Sequence, residues 1–177
     1  SLRPFRLPGG ERAGREPWRA AAALCWELGL GWRSDVDLLK SAWKKGLNAP
    51  TTSAVGRLFD GAASLLGLID QASFEGQGPM YLEAIAGGAA EAVDMPLREN
   101  AAGLLIADWA PLISALLRDE IPVAQRALEF HLSLACLIVE QARVIHARQP
   151  FDAIGLTGGV FQNKWLSELA LAQLASK

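Results

Sequence analysis

Pro122 opens the longest stretch of this chain that reads as one helix, Val123 to about Arg148. Proline suits the first turn, where its missing N–H costs nothing. Beyond it Leu128, Leu132, Ala135, Val139 and Ala142 recur at spacings of three and four, an apolar stripe of helical period. Elsewhere glycine and proline cut the sequence into shorter helical segments. Only two apolar runs, "GLLIAD" and "FDAIGL", are short enough for strands. That pattern points to an α/β chain, predominantly helical, with a small sheet.

In order, residues 1–15 read as irregular because Pro4, Pro8, Gly9, Gly10 and Gly14 fall there. Pro17 starts "WRAAAALCWELG", which Gly29 and Gly31 end. "DVDLLKSAWKKGL" is a second helix, with Asp35 at its cap, Lys44 and Lys45 at its C-terminal dipole and Gly46 closing it. In "TTSAVGRLFDGAASLLGL", Val55, Leu58, Phe59, Ala62, Leu65 and Leu66 make an amphipathic helix. Gly56 and Gly61 inside it each cost roughly 1 kcal/mol relative to alanine, so both need an explanation. "QASFEGQGP" is a loop, and "MYLEAIAGGAAEA" a helix stopped near Gly87-Gly88. "GLLIAD" (Gly103 to Asp108) is a strand, after which Asp108 caps "WAPLISALLRDE". "FDAIGL" is a second strand, and Val160 to Lys177 the last helix. With no repeat and only short breaks, the 177 residues are expected to form one compact unit with a real core.

A net charge of -2 and a pI near 5.7 offer no electrostatic grip on nucleic acid or an anionic membrane. Cys25 and Cys136 lie too far apart for paired zinc-ligand spacing and sit in apolar helical stretches, so they read as buried, reduced thiols, which fits a cytoplasmic location. The N-terminal residues lack a signal-peptide apolar region, and no run of about 18 apolar residues reads as a membrane span.

Four places could carry chemistry. In "FDAIGLTGGVFQN" an apolar run enters a helix through Gly158-Gly159. This is either a tight turn or an anion cradle, in which free N–H groups and the helix dipole face a ligand. Asn163, one turn on, either faces that cavity or is a plain helix-start residue. In "VGRLFDG", Gly56 and Asp60 are four apart and share a helix face. The pair reads as space beside a carboxylate, suited to ribose hydroxyls, or as helix packing beside a surface acid. Glu75 and Gln77 flank Gly76 in a loop, as pocket groups or as a solvated turn. His131 borders the stripe of the long helix and is a pocket or a core residue. His146 suits the C-terminal cap of that helix. There is no HExxH, no GxSxG and no cluster for a metal.

Taken together and in this order, "REPWR", "GRLFDGAASLLGL", "SFEGQGPMYLE", "DWAPLISALL", "FH" in a long helix and "TGGVFQN" resemble the C-terminal part of the HypF-type carbamoyltransferases of hydrogenase maturation. The likeness runs from about Leu2 to Lys177. It implies the second lobe of an actin/sugar-kinase/heat-shock nucleotide-binding fold. It also implies Gly56 and Asp60 toward the ribose, Gly158 and Gly159 along a phosphate or acyl-phosphate, and Asn163 toward the adenosine. Glu75, Gln77 and His131 are further pocket candidates, with no catalytic residue assigned. The reaction implied uses ATP and carbamoyl phosphate to form carbamoyl-adenylate, whose carbamoyl group passes to the C-terminal cysteine of HypE. Because the nucleophile belongs to the partner, none need stand out here.

The family's acylphosphatase-like domain, zinc fingers, adenylate-forming domain, His-containing metal motif and final metal-binding Asp do not occur in these residues. The chain is therefore expected to be a fragment or truncated relative, inactive alone, with its metal ligands outside it. Threonylcarbamoyl transferases of tRNA modification share the fold, but Arg57 stands where they carry Glu, and Gly61 where they carry Lys. A non-catalytic interaction module that kept the fold is the remaining alternative.

Overall fold

The structure, a computed structural model, describes residues 1–33 and 36–175. Asp35 and the expected helix end at Lys177 lie outside them. Where one compact unit is expected, the residues group into two: Leu2–Ala84, and Ser1 with Ile85–Lys177.

The first unit holds β1 (Phe5–Arg6), a 3-10 turn (Gly10–Gly14), α1 (Trp18–Glu27), α2 (Asp37–Lys44), β2 (Thr51–Thr52), α3 (Val55–Leu65) and most of α4 (Gln77–Ile85). β1 and β2 pair antiparallel, Phe5 opposite Thr52. The alanines of "WRAAAALCWE" let α1 lie very close to α3. Ala20 to Leu24 are fully buried, as are Leu58, Ala62 and Ala63. Gly61 exists for this approach: a Cβ there would sit 2.5 Å from Leu24 Cδ1 and 3.4 Å from the Ala20 and Ala21 backbone. Gly56 is different, since a Cβ there would meet nothing within 4 Å. Packing explains one costly glycine and leaves the other open. Trp43 joins α2 to β1: it donates from Nε1 to Arg6 O at 2.9 Å, lies under the Arg6 guanidinium and packs on Trp26. α4 begins at Gln77, earlier than the expected loop allows, because Gln77 Oε1 accepts the Ser73 N–H at 2.7 Å and closes the preceding turn.

The second unit begins with a hairpin, β3 (Leu97–Glu99) and β4 (Leu105–Ala107), in the register Leu97 opposite Ala107. α5 (Ala110–Leu116) follows, its first N–H donating to Asp108 Oδ1 at 3.1 Å as the sequence suggests. α6 (Val123–Arg148) is the expected long helix, packed against α5 and α7 (Lys164–Ala175). Its buried face overlaps the expected stripe in part. Leu128 and Ala135 of the stripe are buried, together with Ala127, Phe130, His131 and Leu134, whereas Leu132, Val139 and Ala142 are only half-buried.

"FDAIGL" is not a strand. A strand's backbone needs a ladder partner, and no strand among the described residues pairs with it. Phe151 turns back instead, donating its N–H to His146 Nδ1 at 3.2 Å and setting its ring against the imidazole. The last helix also starts late. Gly159–Gln162 form a 3-10 turn, and Asn163 caps α7 by accepting the Leu166 N–H at 3.0 Å, an N-cap bond to the third helical residue. Both cysteines are free, Cys25 buried and Cys136 half-buried.

Candidate functional site

In the first unit α3 carries the acidic candidate. The apolar face of "VGRLFDGAASL" turns Leu58, Phe59, Ala62 and Ala63 inward, and Asp60 goes in beside them, only 4% exposed. Arg57, one turn earlier, places Nη1 3.0 Å from Asp60 Oδ2. That approach supplies charge but not hydrogen-bond geometry, and Oδ2 is left buried without a hydrogen-bond donor. Burial pushes the Asp60 carboxyl up from 3.8 to about 6. Arg57 opposes the rise and the Glu75 charge adds to it. Two glycines stand near this carboxyl region: Gly56, open on its side, and Gly78, where a Cβ would come within 3.3 Å of Asp60 Oδ1. Gly78 is a site feature that the sequence reading missed, although "GQGP" carries two glycines.

Arg57 also lines an open cleft of about 670 Å³, together with Arg15, Glu11, Ser73, Phe74 and Glu75. The walls are fixed by two bonds, Ala72 N–H to the Arg15 backbone carbonyl at 2.8 Å and Ser73 N–H to the Gln77 side-chain Oε1 at 2.7 Å. Glu75 therefore faces the cleft. Gln77 does not line it: besides closing the turn, its amide donates to the Tyr81 hydroxyl at 2.8 Å. Arg15 lay in a segment that looked merely irregular. Its sign was the charge in "AGREP" beside glycine.

In the second unit the glycine loop is exposed. Gly158 has φ +105°, a conformation that favours glycine. The next residues wind into a 3-10 turn, whose first N–H groups have no acceptor within the turn. Asn163 points inward rather than along the loop surface, and its Nδ2 donates to His131 Nε2 at 3.0 Å. His131 is fully buried, with Nδ1 2.7 Å from Ala127 O. A carbonyl can only accept, so Nδ1 carries the proton and Nε2 is the acceptor for Asn163. Burial lowers the His131 pKa from 6.5 to about 4, against the Ala127 bond. His131 is thus a neutral core histidine that anchors the cap of α7 to α6.

The chemistry available is specific. Asp60 keeps a buried carboxylate oxygen without a donor, and the exposed glycine loop carries backbone N–H groups with no acceptor inside its turn. Among the described residues no three His, Cys, Asp or Glu side chains gather to hold a metal ion, and no helix is long and apolar enough to cross a membrane.

Residues 1–177 match the family described as "Carbamoyltransferase, Kae1-like Domain, second subdomain". The chain is 36% identical over 184 residues to the Carbamoyltransferase HypF of Rhodobacter capsulatus, covering 99% of this chain and 24% of that protein. It is also 36% identical over 193 residues to the protein of the same name from Synechocystis, covering 93% and 24%. The chain spans about a quarter of the length of these curated relatives. Among solved structures it is similar to full-length HypF in a phosphate- and nucleotide-bound form, with TM-score 0.88, 21% identity and coverage of 99% of this chain and 24% of that one. It is likewise similar to T. kodakarensis HypF, with TM-score 0.85, 22% identity and coverage of 99% and 26%. These likenesses bear out a predominantly helical lobe of that fold.

Proposed function

The chain belongs to the HypF carbamoyltransferase family, as the second subdomain of its Kae1-like domain, and from that premise we propose that it supplies nucleotide contacts for carbamoyl transfer. In this reading, in a protein of the relatives' length, water cleaves carbamoyl phosphate to carbamate and phosphate, and a carbamate oxygen attacks the α-phosphorus of ATP, expelling pyrophosphate and leaving carbamoyl-adenylate. The thiolate of the HypE C-terminal cysteine attacks the carbamoyl carbon, the bond from that carbon to the phosphate oxygen breaks, and AMP leaves with the electron pair. The tetrahedral centre between those steps needs hydrogen-bond donors in a preorganised site. Asp60 accepts ribose hydroxyls, with Gly56 leaving room beside it. The Gly158-Gly159 loop offers backbone N–H groups to phosphate or acyl-phosphate. Asn163 holds the loop's exit through its bonds to Leu166 and His131, and in this reading its remaining N–H is the one left for the adenosine. Metal chemistry, in this reading, comes from residues outside these 177. The setting is hydrogenase maturation in the cytoplasm.

The observation that carries the proposal is Asp60 Oδ2, a buried carboxylate oxygen with charge beside it and no hydrogen-bond donor. Such groups are rare without a functional reason, and in this reading a ribose hydroxyl becomes the donor once the Arg57 side chain moves off Oδ2. Calorimetric titration of ATP into the chain tests this. Binding should weaken about tenfold or more in Asp60→Asn, the range for a hydrogen bond to a charged group. In a full-length relative carrying the same substitution, carbamoylation of the HypE cysteine should fall with it. ATP affinity indifferent to Asp60→Asn, or no ATP binding in either protein, sinks the reading.

A further inference from the structure

None of the residues lining the cleft beside α3 is a proposed nucleotide contact, and that lining is chemically selective. We infer that it is a separate binding site for a small acid, a phosphorylated or carboxylated compound that also carries N–H or O–H donors. The anion is read by Arg57 and Arg15. Arg57 is only 20% exposed at its side chain, and its Nη1 is held from behind by Asp60 Oδ2 at 3.0 Å and Ala13 O at 3.4 Å. Ala13 O takes one N–H of that nitrogen and the Asp60 charge sits beside it, and four further N–H donors of the guanidinium fork remain for the cleft that Arg57 lines. Arg15 adds a second guanidinium, and its backbone carbonyl pins the opposite loop through Ala72. Glu11 and Glu75 line the same cleft and balance the two positive charges. A bare anion would therefore meet repulsion as well as attraction, and a ligand with both an acid group and donors satisfies all four. Ser73 adds a hydroxyl, and Phe74, 52% exposed, gives one apolar wall. A volume of about 670 Å³ falls within the range of small-molecule sites.

Asp60 is the positioning residue for Arg57 in this site, behind the cleft and not among the residues that line it. The site does not depend on the nucleotide reading. Amide NMR shifts of the chain would be followed during titration with phosphoethanolamine, with inorganic phosphate, and with sodium chloride at matched ionic strength. Saturable shifts at Gly10, Gly14 and residues 73–75, tighter for phosphoethanolamine than for phosphate, are expected. Arg15→Gln and Arg57→Gln should each weaken binding about tenfold or more, as for loss of a charge-assisted bond. Arg15 is exposed, so its variant tests the site even where Arg57→Gln disturbs the fold. Shifts matched by chloride, or affinities unchanged in Arg15→Gln, overturn the site. A parallel ATP titration separates the two readings. ATP shifting the same cleft residues and displacing phosphoethanolamine would make the cleft part of the nucleotide site and overturn its separateness. ATP failing to bind while phosphoethanolamine binds would leave the site standing and remove the nucleotide reading.

Discussion

Replacing Asp60 with asparagine should stabilise the ligand-free chain at neutral pH while weakening nucleotide binding. The carboxyl titrates near 3.8 in an unfolded chain and at about 6 in the fold, chiefly through burial. Between those values the folded state holds more proton than the unfolded one, so unfolding free energy falls as pH rises through the window. Below 3.8 both states are protonated and the penalty is absent. Above about 6 it is fully present. A rise of about two pH units at 1.36 kcal/mol each amounts to about 3 kcal/mol. Asparagine removes that cost but leaves Arg57 without its counter-charge, which reduces the gain; about 1–3 kcal/mol at pH 7.5 is expected, and almost none at pH 3.5. The wild-type pH profile alone does not reveal this, because His131 has the opposite slope. Its pKa is lowered from 6.5 to about 4, so its contribution is present above 6.5 and is lost as pH falls through 4. The informative quantity is the difference between wild type and Asp60→Asn at each pH, from urea denaturation followed by circular dichroism at pH 3.5, 5, 6 and 7.5. A difference that stays constant over this range, or a wild type more stable at pH 7.5, refutes the reasoning.

The two glycines of α3 should respond to one substitution with opposite signs. Gly61→Ala drives a Cβ into buried Leu24 and against the α1 backbone; overpacking of about 1–3 kcal/mol exceeds the helix-propensity gain of about 1 kcal/mol. Gly56→Ala meets open space and should gain up to about 1 kcal/mol. Urea midpoints decide both, and a stabilising Gly61→Ala contradicts the packing. His131→Phe removes the acceptor for the Asn163 amide and should cost about 1–3 kcal/mol near pH 7.5. That gap should narrow as pH falls from 6.5 to 4 and wild-type Nε2 is protonated, which paired denaturation series would show.

How much of this the sequence could carry depends on whether the deciding partner is local. Pro122 and the run after it mark the start of α6 and its approximate end, because proline at a helix start and uninterrupted helix formers act within one segment. Asp108 finds its N–H two residues on for the same reason. "FDAIGL" fails because an apolar run says only that a strand is affordable; the ladder is supplied by another segment, and here Phe151 packs on His146 instead. The α6 stripe holds only at Leu128 and Ala135. Leu132, Val139 and Ala142 have helical period too, but the elements packed on α6 decide which face is covered, and the buried face runs through Phe130, His131 and Leu134 instead.

The candidate site divides along the same line. That Gly56 and Asp60 share a face follows from 3.6-residue geometry; that the face turns inward, and that Arg57 guards the carboxylate, does not. A glycine in a helix looks equally costly at positions 56 and 61 until a neighbouring helix stands 3.4 Å from one and nothing stands near the other. Asn163 shows the limit most sharply. Its spacing from Gly159 suggested a group facing a ligand. In the fold its oxygen is committed to the Leu166 N–H and one amide N–H to His131. Its effect on any ligand at the glycine loop then runs largely through the geometry it imposes on residues 158–162, so substitutions there should alter loop order and affinity together rather than affinity alone.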